Sequence, residues 1–335
     1  MNIYRTIKLL NGIKSPHIKL LGIYLLHIFG KRYLGIFIDP VLACNLRCKM
    51  CYFSDEEKRK TLKGKMSHAD IYRIANAMFH RALKVQIGCG AEPTLDKQAI
   101  SALILQAKQQ KVPFVSLTTN GLLLTVDDMR KYISEGLDEI TLSMHGVKKE
   151  TYEDFMTNSH YETFCTVLKF LSDLKKDFSK FQIRINYTMC ADNLLELKDF
   201  FDYFGDINID VLQLRPIQKI GNSAYNNFSR EKQEKMYDEV IQAIKEKCRE
   251  KHISCIAPPK TVQSDSAKNT NSVIVESTYC YISPMGCWED DFDYQSDTYE
   301  SYAARTKLAR KLLKNVFFWK KQLTLSEKRL NYEIG

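Results

Sequence analysis

Segments with the hydrophobic pattern of buried strands alternate with segments of helical pattern along most of the chain. Short apolar runs bounded by polar or glycine residues predict strands at 33–39, 84–87, 114–118, 139–143, 181–189 and 211–214. Between them apolar residues recur at helical spacing, as at Ile71, Ile74 and Met78, after a capping-box pattern at Ser67 and Asp70. Six strands that each lead into a helix predict an α/β fold, a partial (β/α)6 TIM-like barrel of parallel strands with its site at their carboxyl ends.

The residues before the first strand predict a helical extension on either side of Ser15 and Pro16. Residues 18–29 read IKLLGIYLLHIF, a run interrupted by Lys19 and His27 and shorter than the roughly 20 residues that a membrane-spanning helix needs. The sequence GKRYLG follows where a signal peptide would have small residues, so we expect neither cleavage nor export. Two interpretations remain: the segment packs on the body of the protein, or it attaches the protein to a membrane surface.

The pattern changes after about residue 250. A polar stretch at 263–272 indicates a connection, 280–292 has the pattern of a hairpin around Met285 and Gly286, and 298–322 predicts one long basic helix. We therefore expect three parts: a basic helical extension at 1–32, the partial barrel at 33–250, and a small hairpin and helix extension at 251–335.

The charge distribution separates the two ends from the body. The net charge is +9, and residues 1–33 hold six basic residues and no acidic one. Residues 303–335 hold nine basic and two acidic residues, which leaves −4 for the residues between. Basic ends on a mildly acidic body disfavour a nucleic-acid partner, which needs a continuous basic surface. They are the reason for the membrane alternative, which is peripheral binding to anionic lipid with apolar contacts from both ends. The candidate contacts are Leu20, Leu21, Tyr24, Leu25, Ile28, Phe29, Phe317, Phe318 and Trp319. The cytoplasm is the expected compartment, because the cysteines do not predict a disulfide framework.

The strongest chemical signal is the group Cys44, Cys48 and Cys51, directly after the first strand. Ten cysteines are spread unevenly over the chain, and only these three are close in sequence, which argues against a disulfide framework. Three thiolates on one short loop can hold three irons of a [4Fe–4S] cluster and leave the fourth iron open. Zinc with Cys89 as an added ligand, or three free thiols, are the alternatives.

The order of motifs resembles the radical S-adenosylmethionine (radical SAM) superfamily. Its CxxxCxxC triad is matched at 44–51 and its "GGEP" motif at 90–93, with TTNG at 118–121, SMHG at 143–146 and LRPI at 214–217. The resemblance implies one cluster that binds the amine and carboxylate of SAM, with Glu92 holding a turn whose carbonyls accept from the amine. Its implied cofactor contacts are Met50 near adenine, Gly90, Ala91, Glu92, Thr119, Ser143 at the ribose, Asn186, and Arg215 at the carboxylate.

The resemblance also implies an activity. A radical SAM enzyme receives one electron from a donor such as flavodoxin or ferredoxin, cleaves SAM reductively and abstracts hydrogen from a substrate. The substrate here is a peptide or protein, or a small or lipid-linked metabolite. The alternative is an iron–sulfur redox or binding module without SAM turnover.

Cysteines and acids beyond the triad leave further alternatives open. Cys280 and Cys287 resemble the start of a SPASM or twitch extension, but the later CxxC run is missing. Two interpretations remain: one auxiliary cluster bound by these two cysteines and Cys255, or a degenerate hairpin whose cysteines are simply buried. His145, at the end of the fourth strand, is either a proton-transfer residue or a strand-end histidine. The acids of 289–297 are either a metal site or a solvated hairpin end.

Overall fold

The structure, a computed structural model, describes residue 13 and residues 15–218, 222–225, 230–258 and 272–318. Its strands are β1 (Leu34–Ile38), β2 (Ala82–Ile87), β3 (Phe114–Thr119), β4 (Glu139–Met144), β5 (Gln182–Met189), β6 (Val211–Pro216), β7 (Ser254–Ile256), β8 (Tyr279–Ser283) and β9 (Gly286–Cys287). They form one sheet in the order β7-β6-β5-β4-β3-β2-β1-β8-β9. The first six pair in parallel, each with the next in sequence, which confirms the predicted order of a partial barrel.

The helices follow the strands as the pattern predicts. Their bounds are α1 (Pro16–Ile28), α2 (Glu56–Thr61), α3 (His68–Met78), α4 (Lys97–Gln109), α5 (Val126–Glu135), α6 (Lys149–Phe155), α7 (Tyr161–Asp177), α8 (Phe200–Phe204), α9 (Arg230–Glu250), α10 (Ser272–Thr278), α11 (Tyr299–Arg305) and α12 (Leu308–Phe318). The capping box at the start of α3 is confirmed, since Ser67 and Asp70 exchange side-chain and backbone hydrogen bonds. Gly136 ends α5 with a φ of 114°, a conformation that favours glycine.

The two faces of the sheet differ in polarity, and this difference positions the site. On β2, Val85 and Ile87 are fully buried in the apolar core. Lys84 and Gln86 alternate with them and therefore face the inside of the barrel, where the Lys84 ammonium donates to Gln86 at 2.9 Å. Burial lowers the pKa of Lys84 to about 8. The inside of the barrel at β2 thus carries polar side chains, with the Lys84 ammonium over the rings of Phe37 and Phe114, whereas the outer face is apolar.

The residues after 250 add a strand at each side of the barrel sheet. The strand β7 pairs with β6, and β8 pairs in parallel with β1. The predicted hairpin is confirmed, because β8 and β9 pair antiparallel through Ile282 with Cys287 and Ser283 with Gly286. Most of the polar stretch at 263–272 lies outside the described residues. The C-terminal hairpin is therefore a continuation of the barrel sheet.

The prediction of one long helix over 298–322 is wrong within the described residues. The helix α11 ends at Arg305, and α12 begins at Leu308. Between them Lys307 has a φ of 54°, which lies outside the right-handed helical region. The Lys307 N–H donates to the Ala304 carbonyl at 3.1 Å, only three residues back, so the α-helical hydrogen-bond pattern ends here.

The helix α1 confirms the second half of the predicted N-terminal pair; the first half lies outside the described residues. Pro16 occupies its first turn, where the missing N–H is tolerated. Leu20 and Ile23 are buried, and Leu20 packs with Val316 of α12. Among the described residues, no helix has the length and apolar character needed to cross a membrane.

Candidate active site

A cavity of about 480 Å³ opens at the carboxyl ends of the barrel strands. All the residues that the sequence assigns to the cluster and the cofactor line this one cavity. They are Cys44, Cys48, Met50, Cys51, Gly90, Ala91, Glu92, Thr119, Ser143, Asn186 and Arg215. The loop after β1 and the loop after β2 form one wall, and the ends of β4, β5 and β6 form the other.

The three cysteines lie on the loop between β1 and α2. Burial raises the pKa of Cys44 to about 12 and that of Cys51 to about 11, and it raises the pKa of Cys48 well above its usual value. Iron binds the thiolate, so cluster assembly here must release protons. Among the described residues, no three His, Cys, Asp or Glu side chains are arranged to hold a single metal ion. A cluster bound through three separate irons instead needs thiols arranged around one face of a cube.

The backbone of the cysteine loop is held in place from several sides. The Arg47 guanidinium donates to the carbonyl of Cys44 at 2.7 Å and to that of Leu46 at 2.6 Å. The N–H of Arg47 donates to the Thr157 carbonyl at 2.9 Å, which ties the loop to the end of α6. A loop with its backbone satisfied in this way keeps the thiols in position, and the Cys44 sulfur itself accepts from the Leu46 N–H at 3.4 Å.

The second loop of this wall is fixed by a buried carboxylate. Asp39, fully buried at the end of β1, accepts from the N–H of Cys89 at 2.8 Å and from the N–H of Gly90 at 3.0 Å. The Tyr281 hydroxyl of β8 donates to the same carboxylate at 2.8 Å. Burial raises the pKa of Asp39, and these hydrogen bonds oppose that shift.

The Cys89 thiol also points to Asp39 rather than to the triad. Its sulfur lies 3.5 Å from the carboxylate and donates to it. Burial, followed by the nearby Asp39 charge, raises the pKa of Cys89 well above its usual value. Because this thiol is hydrogen-bonded to Asp39, and no described group of three side chains is arranged to hold a metal ion, the zinc interpretation through Cys89 has no support in this geometry.

Glu92 joins the ends of β2 and β3. Its carboxylate accepts from the N–H of Thr94 at 3.0 Å, from the Thr119 hydroxyl at 2.6 Å and from the N–H of Asn120 at 2.8 Å. The Glu92 N–H donates to the Ala43 carbonyl at 2.9 Å, beside the cysteine triad. Glu92 therefore holds the turn, as the resemblance implied, and Thr119 supports Glu92 through its hydroxyl.

The turn itself presents backbone carbonyls to the cavity. Gly88 has a φ of 77°, and a Cβ there would lie 2.3 Å from the Thr118 carbonyl oxygen, so only glycine fits. The φ angle of Ala91 is not positive, so its methyl group is compatible with the turn. The Tyr52 hydroxyl donates to the Gly90 carbonyl, which leaves the second lone pair of that oxygen for a ligand.

The opposite wall consists of polar side chains on three neighbouring strands. Ser143 of β4 pairs in register with Asn186 of β5, which pairs with Gln213 of β6. The Asn186 side-chain oxygen is buried and has no hydrogen-bond partner among the described residues. Asn186 itself lines the cavity, so its side-chain amide is placed to pair with a bound molecule that carries a hydroxyl or an amine. This wall therefore suits SAM, and the thiol wall suits its cluster.

His145 lines the same wall as a neutral imidazole. Burial, together with the nearby Arg215 charge, lowers the pKa of His145 to about 4. Its Nδ1 accepts from the Thr188 N–H at 3.3 Å, so the ring proton is on Nε2. A neutral imidazole of fixed tautomer is a hydrogen-bond donor at neutral pH, which favours a positioning role for His145 over proton transfer.

The orientation of Gln213 is set from below the cavity. Arg184 of β5 donates to the Gln213 side-chain oxygen at 2.8 Å and to Glu139 of β4 at 3.2 Å. Burial acts against the charges of that pair, raising the pKa of Glu139 to about 8 and lowering that of Arg184 to about 10. Because its oxygen accepts from Arg184, Gln213 has its amide N–H groups left to donate elsewhere.

The structure separates the three cysteines considered for an auxiliary cluster. Cys255 is on β7 and Cys280 is on β8, with six strands of the sheet between them. Cys280 is buried in the core, and the half-buried Cys287 packs against the core from the hairpin. Among the described residues, no three such side chains gather around one point, so this geometry does not support an auxiliary cluster on Cys255, Cys280 and Cys287.

Sequence reasoning missed Asp39, Tyr52, Gln213 and Tyr281 as members of the site. Asp39 has a local signal, a carboxylate directly after an apolar strand, and Tyr281 alternates with buried residues in YCYIS. The acids at 289–297 lie on the hairpin side, where Asp291 and Asp297 pair with Arg305 instead of gathering around an ion.

Comparisons with known proteins agree with this geometry. A sequence model of the Radical SAM superfamily matches residues 38–189. A protein of Metallosphaera sedula named probable GTP 3′,8-cyclase is 26% identical over 262 residues, covering 77% of this chain and 76% of its own.

Solved structures share the fold. The crystal structure of Streptococcus suis SuiB has a TM-score of 0.59 at 14% identity, and the match covers 76% of this chain and 59% of SuiB. The structure of anSMEcpe with bound AdoMet has a TM-score of 0.52 at 18% identity, covering 67% of this chain and 64% of that one. The cysteine triad and the turn held by Glu92 lie inside the matched residues, so residues 38–189 form a radical SAM domain, the kind of domain that uses a [4Fe–4S] cluster and SAM.

Proposed function

We propose that this protein cleaves SAM reductively at a cluster held by Cys44, Cys48 and Cys51, and that it removes hydrogen from a substrate in the same cavity. The observation that supports this is that three half-buried thiols and Asn186, whose side-chain oxygen has no partner among the described residues, line a single cavity. When bound, the cluster passes one electron to SAM, which releases methionine and a 5′-deoxyadenosyl group that takes a hydrogen atom from a C–H bond.

The residues of this chain hold and orient the reactants. The Gly90 and Ala91 backbone, fixed by Asp39 and Glu92, accepts from the amine of SAM. Arg215, which is exposed on the cavity wall, pairs with its carboxylate, and Ser143 and Asn186 bind the ribose. Met50, buried beside Phe155 and Ile217, packs against the adenine.

The substrate class follows from the donors that face the cavity. Gln213 lines the cavity and has amide N–H groups left to donate, because its oxygen accepts from Arg184, so a substrate with carbonyl, carboxylate or phosphate oxygens fits this wall. The relatives named GTP 3′,8-cyclase support a nucleotide as the first substrate to test. Peptides and small metabolites also carry such acceptors and form the second set.

The single electron must come from a separate protein. A flavodoxin or ferredoxin is the class of donor that supplies one low-potential electron to a buried cluster. The cavity, where the cluster would lie, is the side of the molecule that such a donor must approach. We place the reaction in the cytoplasm, where thiols stay reduced.

Product analysis of the anaerobically reconstituted, reduced protein tests this proposal. With SAM alone, and then with GTP or a peptide library, we expect 5′-deoxyadenosine and an increase when the true substrate is added. The Cys48→Ala variant should form none, and Cys165→Ala, on α7 outside the cavity, should match the wild type. A SAM-induced change in the cluster's electron paramagnetic resonance without any deoxyadenosine would indicate a binding or redox module instead.

A further inference from the structure

The helix α1 is apolar on two opposite faces, and only one of them is covered. Leu20 and Ile23 are buried against the body of the protein. The other face is exposed at positions that recur every three or four residues, which places them on one stripe of the helix. The exposed stripe consists of Ile18, Leu21, Leu25, Ile28 and Phe29, with exposed fractions between 40% and 68%.

The second basic end of the chain packs on the covered face of the same helix. The helix α12 packs against α1. The His17 ring is hydrogen-bonded to the Val316 carbonyl at 2.5 Å, and Leu20 is in contact with Val316. Phe317, the next residue, is 68% exposed. Two segments at opposite ends of the sequence therefore present their exposed apolar residues from one helix pair.

Exposed cations accompany the apolar residues. Neither 15–33 nor 303–318 contains an acidic residue. Lysines and an arginine on the two segments are exposed or half-buried, and they form no ion pair with any described residue. They are Lys19, Lys31, Lys307, Arg310, Lys311 and Lys314. Unpaired cations around an apolar stripe match the negative charge and the apolar interior of an anionic lipid surface.

The helix pair lies at the end of the barrel opposite the cavity. The Arg81 guanidinium, just before β2, donates to the His27 carbonyl at 2.9 Å, and Ile274, just before β8, packs against Leu20 and Val316. These contacts are all at the amino ends of strands, whereas the cavity is at the carboxyl ends. Attachment through this helix pair would therefore not bring the cavity to a lipid-linked substrate.

We propose that the exposed stripe of α1 and the cations of α12 form a docking surface for an anionic phospholipid bilayer. Bound this way, the protein keeps its cavity directed away from the membrane, open to a substrate and an electron donor in solution. Leu20, counted among the apolar contacts from the sequence, belongs to the core instead, and Trp319 lies outside the described residues. This docking surface says where in the cell the proposed reaction takes place. The inference does not depend on the proposed function.

Flotation of the full-length protein with vesicles tests the docking surface. Vesicles of phosphatidylcholine alone and with 30% phosphatidylglycerol serve as probes at low and high salt. We expect binding only to the anionic vesicles and weaker binding at high salt. The variant Lys311→Glu/Lys314→Glu should bind at least about thirtyfold more weakly, since each cation near the surface contributes roughly a factor of five.

Matched variants separate docking from folding. Ile18→Ser/Leu25→Ser/Phe29→Ser removes only exposed apolar groups and should abolish flotation, whereas Leu105→Ser/Lys131→Glu, exposed elsewhere, should float as the wild type does. Circular dichroism and deoxyadenosine formation in solution should be the same for all variants. The proposal is overturned if the wild type stays unbound at low salt or if the stripe variant still floats. It is also overturned if light scattering shows a dimer that the stripe variant dissociates, because a second copy would then cover this face.

Discussion

The Tyr281 hydroxyl donates a 2.8 Å hydrogen bond to the carboxylate of Asp39, a residue 242 positions earlier in the chain. Asp39 in turn accepts from the N–H groups of Cys89 and Gly90, so a C-terminal strand supports the turn that faces the cavity. This connection makes β8 part of the site although none of its residues lines the cavity.

Replacing Tyr281 with Phe should weaken both folding and SAM binding. Loss of one hydrogen bond to a buried carboxylate lowers the free energy of unfolding by about 1–3 kcal/mol, and a looser turn lowers SAM affinity several-fold. Calorimetric titration of SAM and urea unfolding measure the two effects. Tyr132→Phe is the matched control, because its hydroxyl donates to the Lys97 carbonyl at 3.2 Å away from the cavity. If both variants bind SAM equally well, Tyr281 is only structural.

The cysteine triad should account for all the iron in the protein. We expect about four irons per chain after anaerobic reconstitution and, in Cys44→Ala, Cys48→Ala or Cys51→Ala, loss of the cluster and of deoxyadenosine formation. Replacement of Cys255, Cys280 and Cys287 should leave the iron content unchanged, because β7 and β8 lie at opposite sides of the sheet. A lower iron content in that triple variant would reveal an auxiliary cluster.

Asn186→Ala should weaken SAM binding without destabilising the free protein. The substitution removes a buried oxygen that has no partner among the described residues, so the free energy of unfolding should stay equal or rise by up to about 1 kcal/mol. SAM affinity should fall about tenfold, measured by titration. The contrast is Asn193→Ala, since Asn193 donates to the carbonyls of His145 and Thr188 and accepts from the Cys190 N–H. That variant should lose about 2–3 kcal/mol of stability.

His145 should make stability depend on pH below neutrality. Its pKa is about 4 in the folded protein against 6.5 in the unfolded chain, so the unfolded state takes up a proton first as the pH falls. The free energy of unfolding is therefore highest above pH 6.5, and it falls by about 3 kcal/mol between pH 6.5 and pH 4. Urea unfolding across this range should show a steeper decline for the wild type than for His145→Gln. Parallel curves would mean that His145 is protonated in the folded state.

Gly88→Ala should damage the site through the backbone. The added methyl group would lie 2.3 Å from the Thr118 carbonyl oxygen at a φ of 77°, so the turn must shift, at a loss of more than about 2 kcal/mol. Thermal unfolding and the SAM dissociation constant report this shift. Gly22→Ala in α1, where no atom lies within 4 Å of the new Cβ, should raise stability by about 0.5–1 kcal/mol. Equal melting temperatures for the two variants would contradict the steric argument.

The sequence by itself determined the features that depend on local pattern. Strand and helix order follows from periodicity, the cluster loop from the spacing of Cys44, Cys48 and Cys51, and the cavity position from the rule that parallel strands align their carboxyl ends. The capping box at Ser67 and the helix end at Gly136 could also be predicted, because each involves residues only a few positions apart.

The tertiary structure alone decided which distant residues meet. No local pattern shows that Tyr281 reaches Asp39, that β8 joins the sheet next to β1, or that Cys255 is separated from Cys280 by six strands. The same holds for α1, where both faces are apolar and only packing shows that Leu20 is covered while Phe29 stays exposed. Strand pairing and helix packing depend on contacts between residues far apart in sequence, so periodicity predicts the elements but not which partners they bury.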